Sequence, residues 1–226
     1  MKVYNVAIDG PAGAGKSTVA KMAAAALGFI YVDTGAMYRA LALYFIRHGI
    51  KAEETARIGE ALPTLDVSIE YRDGEQVVLL DRENVNAFIR TQEVGQMASL
   101  ISPLPAVRKK LLFLQRGLAE RTSVIMDGRD IGTMVLPDAD VKIYLTADAQ
   151  VRAGRRLKEL EAKGESCERE EILREIVARD EQDMSREVSP LRKAQDAVVV
   201  DASNLTAQEV ADRIVSLVRE RCEKCR

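Results

Sequence analysis

The chain opens on an unbroken apolar run, Val3 to Ile8, which predicts a strand buried on both faces. A helical pattern follows from Lys16 to Leu27 and stops at Gly28. Ile30 to Val32 reads as a second strand, and Ala36 to Arg47 as a helix ending at Gly49. Ser123 to Met126, Val141 to Leu145 and Ala197 to Val200 read as three further strands. Leu104, Val107, Leu111, Leu114 and Leu118 recur at helical spacing, and Arg108 sits beside that stripe as one of three consecutive basic residues. A last helix opens at Thr206, with Glu209 three residues on as a capping box. Strands that alternate with helices predict an α/β fold, a parallel sheet with covering helices.

Two stretches break the alternation. Val67, Ile69 and Tyr71 alternate with polar residues, and Asp73-Gly74 leads into Gln76 to Leu80, a hairpin signal. A small antiparallel insertion is expected at about residues 63–90. Residues 148–193 hold 11 Lys or Arg and 12 Asp or Glu, in two helical patterns flanking Gly164. Such charge density predicts a solvated surface, and a mobile flap is one form it takes.

Composition narrows the class. With 226 residues, 47% apolar and 30% charged, the chain suits one globular domain with inserted subdomains. Its net charge of −2 argues against a dedicated duplex nucleic-acid binder, and 4% aromatics with no Trp argue against a base-stacking surface. The longest uncharged stretch, Val94 to Val107, carries two prolines and is too short to span a membrane. The N-terminus runs straight into a strand, so no signal peptide is expected. Three cysteines, Cys167, Cys222 and Cys225, are odd and sparse, so a reducing cytoplasm is expected and a disulfide framework is not. The Cys222–Cys225 pair has no helix after it, so no redox or metal role is expected.

The chemistry begins at Gly10-Pro11-Ala12-Gly13-Ala14-Gly15-Lys16-Ser17, which matches G-x-x-x-x-G-K-[ST] between a strand and a helix. At average composition the fixed positions coincide by chance in about one chain of this length in a hundred, before that context is required. Glycines let successive N–H groups converge on phosphate oxygens, and the helix beginning near Lys16 turns its positive end to the same anion. Lys16 is expected to reach the β- and γ-phosphates and Ser17 to ligate Mg²⁺, so the first ligand is a nucleoside triphosphate. No guanine-reading N-K-x-D is present. The apolar strand Val124-Ile125-Met126 ends in Asp127, which can hold Mg²⁺ through water. Its neighbour is Gly128 and not the water-activating Glu of hydrolytic ATPases, which favours transfer to a bound acceptor.

Transfer between two nucleotides sets a charge problem. Two phosphates near −2 make four unit repulsions of roughly 4 kcal/mol each at 4 Å, on the order of 16 kcal/mol. Several guanidinium groups must converge to offset it. Arg39 follows the second strand, and Arg129 stands beside Asp127. Arg179, Asp183 and Arg186 share one helical face, suited to a ribose and a phosphate or to a surface ion-pair ladder. Arg152, Arg155 and Arg156 begin the other charged helix, where a flap could close over ATP.

Asp9 to Thr18 (DGPAGAGKST), Asp33 to Arg39 (DTGAMYR), Arg90 to Val94 (RTQEV), Asp127 to Thr133 (DGRDIGT) and Arg179 to Leu191 (RDEQDMSREVSPL) together resemble the bacterial cytidylate kinases, in order and over nearly the whole chain. These belong to the P-loop nucleoside monophosphate kinases. The resemblance implies transfer from ATP, with Mg²⁺, to CMP or dCMP. It also implies a five-stranded parallel core flanked by helices, a monophosphate-binding insertion and a lid. Its domain plan is a core of 1–62, 91–147 and 194–226, the insertion at about 63–90 and the lid with its adjoining helix at about 148–193. Thr34, Arg39 and Arg129 would lie in the CMP site. Ser99, Arg108 and Asp130 would read the cytosine edge. Arg179 and Asp183 would hold the pentose, with Arg186 close to the acceptor. Lys16, Arg129, Arg179 and the lid residues Arg152 and Arg156 would carry catalysis. Thr34 stands where many relatives have Ser. A monomer without a nucleic-acid or membrane partner is expected. The rival readings are a P-loop kinase for UMP or dTMP, and a nucleotide-gated binding module without transfer.

Overall fold

The computed structural model describes residues 2–72, 74–162, 164 and 167–224. In chain order the elements are β1 (Asn5–Asp9), α1 (Lys16–Leu27), β2 (Ile30–Asp33), α2 (Thr34–Arg47), α3 (Thr55–Ala61), β3 (Val67–Arg72), β4 (Glu75–Leu80), β5 (Glu83–Asn84), α4 (Gln92–Ile101), α5 (Pro105–Arg121), β6 (Val124–Gly128), a π-helical turn (Ile131–Val135), β7 (Val141–Thr146), α6 (Ala149–Glu161), α7 (Arg169–Ser185), β8 (Val198–Asp201) and α8 (Ala207–Lys224). They fall into two compact units, residues 1–31 with 122–226, and residues 32–121.

The first unit is built on a five-stranded parallel sheet ordered β2-β6-β1-β7-β8. Its central strands are apolar until their C-terminal ends because both faces are covered: Val6, Ala7 and Ile8 of β1 and Val124, Ile125 and Met126 of β6 are fully buried. At the edge, β8 exposes Val198 and Val199 and buries only Val200. Helices α1 and α8 pack together over one face, with Val19, Ala20, Ala23, Val210, Ile214 and Val218 against Ile8, Ile143 and Val200. The register sets β1 beside β6 through Ile8↔Asp127 and Asp9↔Gly128, so both strands deliver carboxylates at their C-terminal ends. Ligands of open α/β sheets bind at that edge, near where the strand order reverses. Helices α6 and α7 form a separate small core from Ala153, Leu160, Ile172 and Ile176.

In the second unit, α2 packs against α4, α5, β3 and β4. Met37, Ala40, Leu41, Ala42 and Phe45 are its fully buried residues in the core. The antiparallel pairing expected from the Asp73-Gly74 signal is present, from Val67↔Leu80 to Arg72↔Glu75, with β5 on the far side of β4. Gly74 has a left-handed φ of +80°, while Asp73 lies outside the described residues.

Element boundaries moved for identifiable reasons. Helix α2 begins two residues before the expected Ala36, because the Asp33 side chain accepts from the Ala36 N–H at 2.9 Å and caps the helix. Helix α4 was not legible, since only Thr91 marks its start, accepting from the Val94 N–H at 3.3 Å. Among the described residues no helix is long and apolar enough to cross a membrane. Cys167 and Cys222 are free thiols, and Cys225 lies outside the described residues.

The capping box at Thr206 is formed on both sides. Glu209 accepts from the Thr206 N–H at 2.7 Å, and Thr206 Oγ1 accepts from the Glu209 N–H at 3.2 Å. Thr206→Ala is expected to cost about 1 kcal/mol and lower Tm by about 2–4 °C, as read by scanning calorimetry.

Candidate functional site

The loop after β1 wraps as a phosphate cradle must. Gly10 has φ +151°, and a Cβ there would stand 1.9 Å from the Leu145 carbonyl oxygen of β7, so no other residue fits. Pro11 and Ala14 are buried, Ala12 and Gly15 half-buried, and Gly13, Ser17 and Thr18 exposed. Lys16 is buried, and its Nζ donates to the Pro11 carbonyl at 2.7 Å, across the loop it would serve. Burial, and after it the charge of Arg129, pushes the Lys16 ammonium down to about 7, against the pull of Asp127, Asp9 and Asp183.

Ser17 Oγ donates to Asp127 Oδ2 at 3.0 Å, and Tyr31 Oη donates to Asp127 Oδ1 at 2.9 Å. The hydroxyl and carboxylate placed together supply hard oxygen donors of the kind Mg²⁺ takes, and this ion needs few protein ligands when phosphates provide the rest. Among the described residues no cluster of three His, Cys, Asp or Glu side chains exists that would suit a softer metal. Ser17 and Asp127 therefore fit the ion the sequence implied. Tyr31 was missed, because nothing in an alternating strand pattern marks a hydroxyl for a carboxylate 96 positions away.

Beyond Asp127 the chain presents charges in close order. Arg129 Nε donates to Asp183 Oδ2 at 2.7 Å, and Arg186 lies 3.7 Å from the other oxygen of that carboxylate. Arg186 also approaches Asp130 at 4.0 Å and donates through Nε to the Ser189 carbonyl at 2.6 Å. Asp130 and Asp183 are both buried. The structure thus brings Arg129, Asp130, Asp183 and Arg186 together in the unit that carries the phosphate loop. Arg179 is exposed on α7, one turn before Asp183.

The two arginines singled out in α6 differ sharply. Arg152 is buried, with Nε on the Ala147 carbonyl at 2.9 Å, Nη1 on the Ala12 carbonyl at 3.0 Å and Nη2 on Asp180 at 2.6 Å. It ties the phosphate loop to α7. Arg156 is half-buried and pairs with Glu159 on its own helix at 3.2 Å. Arg155 joins Arg152 in bracing the loop, reaching the Ala14 carbonyl at 3.5 Å and the Ala202 carbonyl at 2.6 Å.

In the second unit, Thr34 opens α2 and is buried. Arg39, a turn later, meets the Asp33 carboxylate at 3.2 Å, and Arg90 meets the same oxygen at 2.6 Å. Burial alone would raise the Asp33 carboxyl, but Arg39, Arg90 and the Ala36 N–H overcome it and hold Asp33 below the usual carboxylate range. Arg108 Nη1 donates to the Ser102 carbonyl at 3.3 Å, its guanidinium is 6.0 Å from the centre of the Tyr38 ring, and the Ser99 carbonyl accepts from Ser102 Oγ. An apolar groove of about 670 Å³ lies elsewhere on this unit, lined by Leu62, Val67, Phe113, Leu114 and Leu118, and contains none of these residues.

The depressed Lys16 ammonium gives a signed expectation. Above pH 7 the resting lysine is mostly neutral, whereas a bound triphosphate requires it charged, so binding takes up a proton. Titration of ATP at pH 8 in two buffers of unlike ionisation enthalpy is expected to show uptake of about 0.9 proton, falling to about half at pH 7. Lys16→Arg should abolish the uptake.

A model of the cytidylate kinase family matches residues 6–220. The cytidylate kinase of Caldicellulosiruptor saccharolyticus is 51% identical over 217 residues, covering 96% of either chain. That of Halalkalibacterium halodurans is 44% identical over 221 residues, 98% of this chain and all of its own. A gluconokinase structure from Sinorhizobium meliloti 1021 matches in fold alone, with a TM-score of 0.51 at 13% identity over 98% of this chain and 95% of its own. A match that runs from β1 into α8, with relatives about half identical over nearly their whole length, fixes the lineage: the chain belongs to the cytidylate kinase family.

Proposed function

We propose that the protein transfers the γ-phosphoryl group of ATP to CMP or dCMP, giving ADP and CDP or dCDP. The observation that carries this reading is the convergence of Arg129, Asp130, Asp183 and Arg186 in the unit of the phosphate loop. Guanidiniums there suit a second phosphate, and the buried Asp130 carboxylate suits an exocyclic amine.

An oxygen of the CMP phosphate attacks the γ-phosphorus in line, the new P–O bond forms, and the bond to the β-phosphate oxygen breaks to release ADP. That oxygen is already ionised, so no general base is needed. Catalysis rests on positioning and on neutralising charge. Gly10 to Thr18 hold the triphosphate. Lys16 moves from the Pro11 carbonyl onto its β- and γ-oxygens. Mg²⁺, on Ser17 and Asp127, would supply further neutralisation of the triphosphate. Arg39 and Arg129, with Thr34, take the acceptor phosphate. Ser99, Arg108 and Asp130 read the base, Arg179 and Asp183 hold the pentose, and Arg186 stands close to the acceptor. Arg156 acts from a lid at about 148–193, whose α6–α7 pair has its own apolar core, and Arg152 acts at the lid's base, where it braces the phosphate loop through the Ala12 carbonyl. Asp130 accepts from the 4-amino group of cytosine. Uracil offers an oxygen there, which would face the carboxylate without a proton between them. In this reading the protein acts as a monomer, and free thiols at Cys167 and Cys222 support a cytoplasmic setting.

The test is ADP release measured against CMP, dCMP, UMP, dTMP and AMP. CMP and dCMP are expected to lead the panel. Lys16→Met should lower CMP-dependent release on the order of 10³-fold with the circular dichroism spectrum unchanged. Asp130→Ala should cost CMP about 100-fold in kcat/KM and UMP less than about tenfold. Equal losses on both acceptors would contradict the base-reading role.

A further inference from the structure

Asp9 is the last residue of β1, immediately before the phosphate loop, and it is buried. Both oxygens of its carboxylate accept from backbone N–H groups outside that loop. Oδ1 accepts from the Ile131 N–H and Oδ2 from the Gly132 N–H, each at 2.7 Å. These are the first two residues of the π-helical turn, so one carboxylate takes two successive donors at a helix start, a short charge-assisted pair. The approach is close: a Cβ on Gly132 would stand 3.3 Å from Asp9 Oδ2, with the Lys142 stem 3.1 Å away on another side.

The consequence falls on Asp130. The Ile131 N–H belongs to the Asp130–Ile131 peptide, and the carbonyl of that same peptide accepts from the Met134 N–H at 2.8 Å and the Val135 N–H at 3.2 Å. The peptide is therefore clamped at both ends, by Asp9 on one and by the π-helical turn on the other. This leaves Asp130 at φ −141° and ψ 28° and, with Arg129 preceding it, fixes where both side chains leave the backbone. Burial pushes the Asp9 carboxyl up to about 6, against the pull of those two N–H groups.

We infer that Asp9 is a positioning residue for the acceptor: through the Ile131 and Gly132 amides it sets the Arg129–Asp130 pair, and so governs selection of cytosine. This rests on the proposed CMP kinase activity. It assigns base selectivity to a side chain that touches neither nucleotide base nor acceptor phosphate.

Asp9→Asn replaces one acceptor oxygen by an NH₂ facing an N–H, so one of the two bonds is lost with little change of volume. The variant is expected to raise KM for CMP at least tenfold, to lower the preference for CMP over UMP at least fivefold, and to leave KM for ATP within twofold. Gly132→Ala, which pushes on the same carboxylate from the other side, should shift the same quantities in the same direction and serves if Asp9→Asn does not fold. An unchanged preference for CMP over UMP, or a rise in KM for ATP equal to that for CMP, would overturn the inference and leave Asp9 a structural residue of the phosphate loop. Absence of CMP-dependent ADP release by the unsubstituted protein would instead refute the activity itself.

Discussion

Positive charge that must meet phosphate cannot wait unpaired in a protein interior. Burying an isolated cation is costly, and the group either finds a carboxylate or loses its proton. Both outcomes occur here. Arg129 and Arg186 share the buried Asp183, and Arg39 shares the buried Asp33 with Arg90. Lys16, pressed by burial and by Arg129, sits near the edge of losing its proton and leans on a loop carbonyl. The carboxylates hold the cations in low-entropy positions, so that arriving phosphates replace one partner by another and need not order flexible side chains. The binding surface is arranged before the ligand is present.

The parallel sheet places these groups. β1 and β6 lie side by side in register, so the residues at their ends, Asp9 and Asp127, emerge together. One carboxylate receives the hydroxyls of Ser17 and Tyr31; the other receives the amides of Ile131 and Gly132. On the proposed reading, two aspartates one step apart in register serve opposite ends of the chemistry, the donor through Asp127 and the acceptor through Asp9. Gly10 marks where the loop passes the β7 backbone too closely for a Cβ, and Gly132 where a Cβ would press on Asp9 and Lys142.

Much of this was legible in the sequence. The strands, α1, the hairpin and the phosphate loop depend on local pattern, and local pattern is what a sequence displays. The escapes were contacts between distant positions. Asp9 sits in a recognisable motif, yet its partners are 122 and 123 residues away, and its two backbone bonds leave no trace in residue type at the other end. Arg152 reads as one of several arginines in a charged run. Only the fold shows that it is buried and braces the Ala12 carbonyl, while Arg156, four residues on, is half-buried and pairs with Glu159. Short α3 and α4 were missed because neither has a long apolar stripe.

The central claim is that prearranged guanidiniums exchange carboxylate partners for nucleotide phosphates. A crystal structure with CMP and a non-hydrolysable ATP analogue examines it directly. The account predicts Arg39 and Arg129 within about 3.5 Å of phosphate oxygens, and Lys16 moved from the Pro11 carbonyl onto the triphosphate. Nucleotides bound with Arg39 still held by Asp33, Arg129 still held by Asp183 and neither touching a phosphate would contradict it.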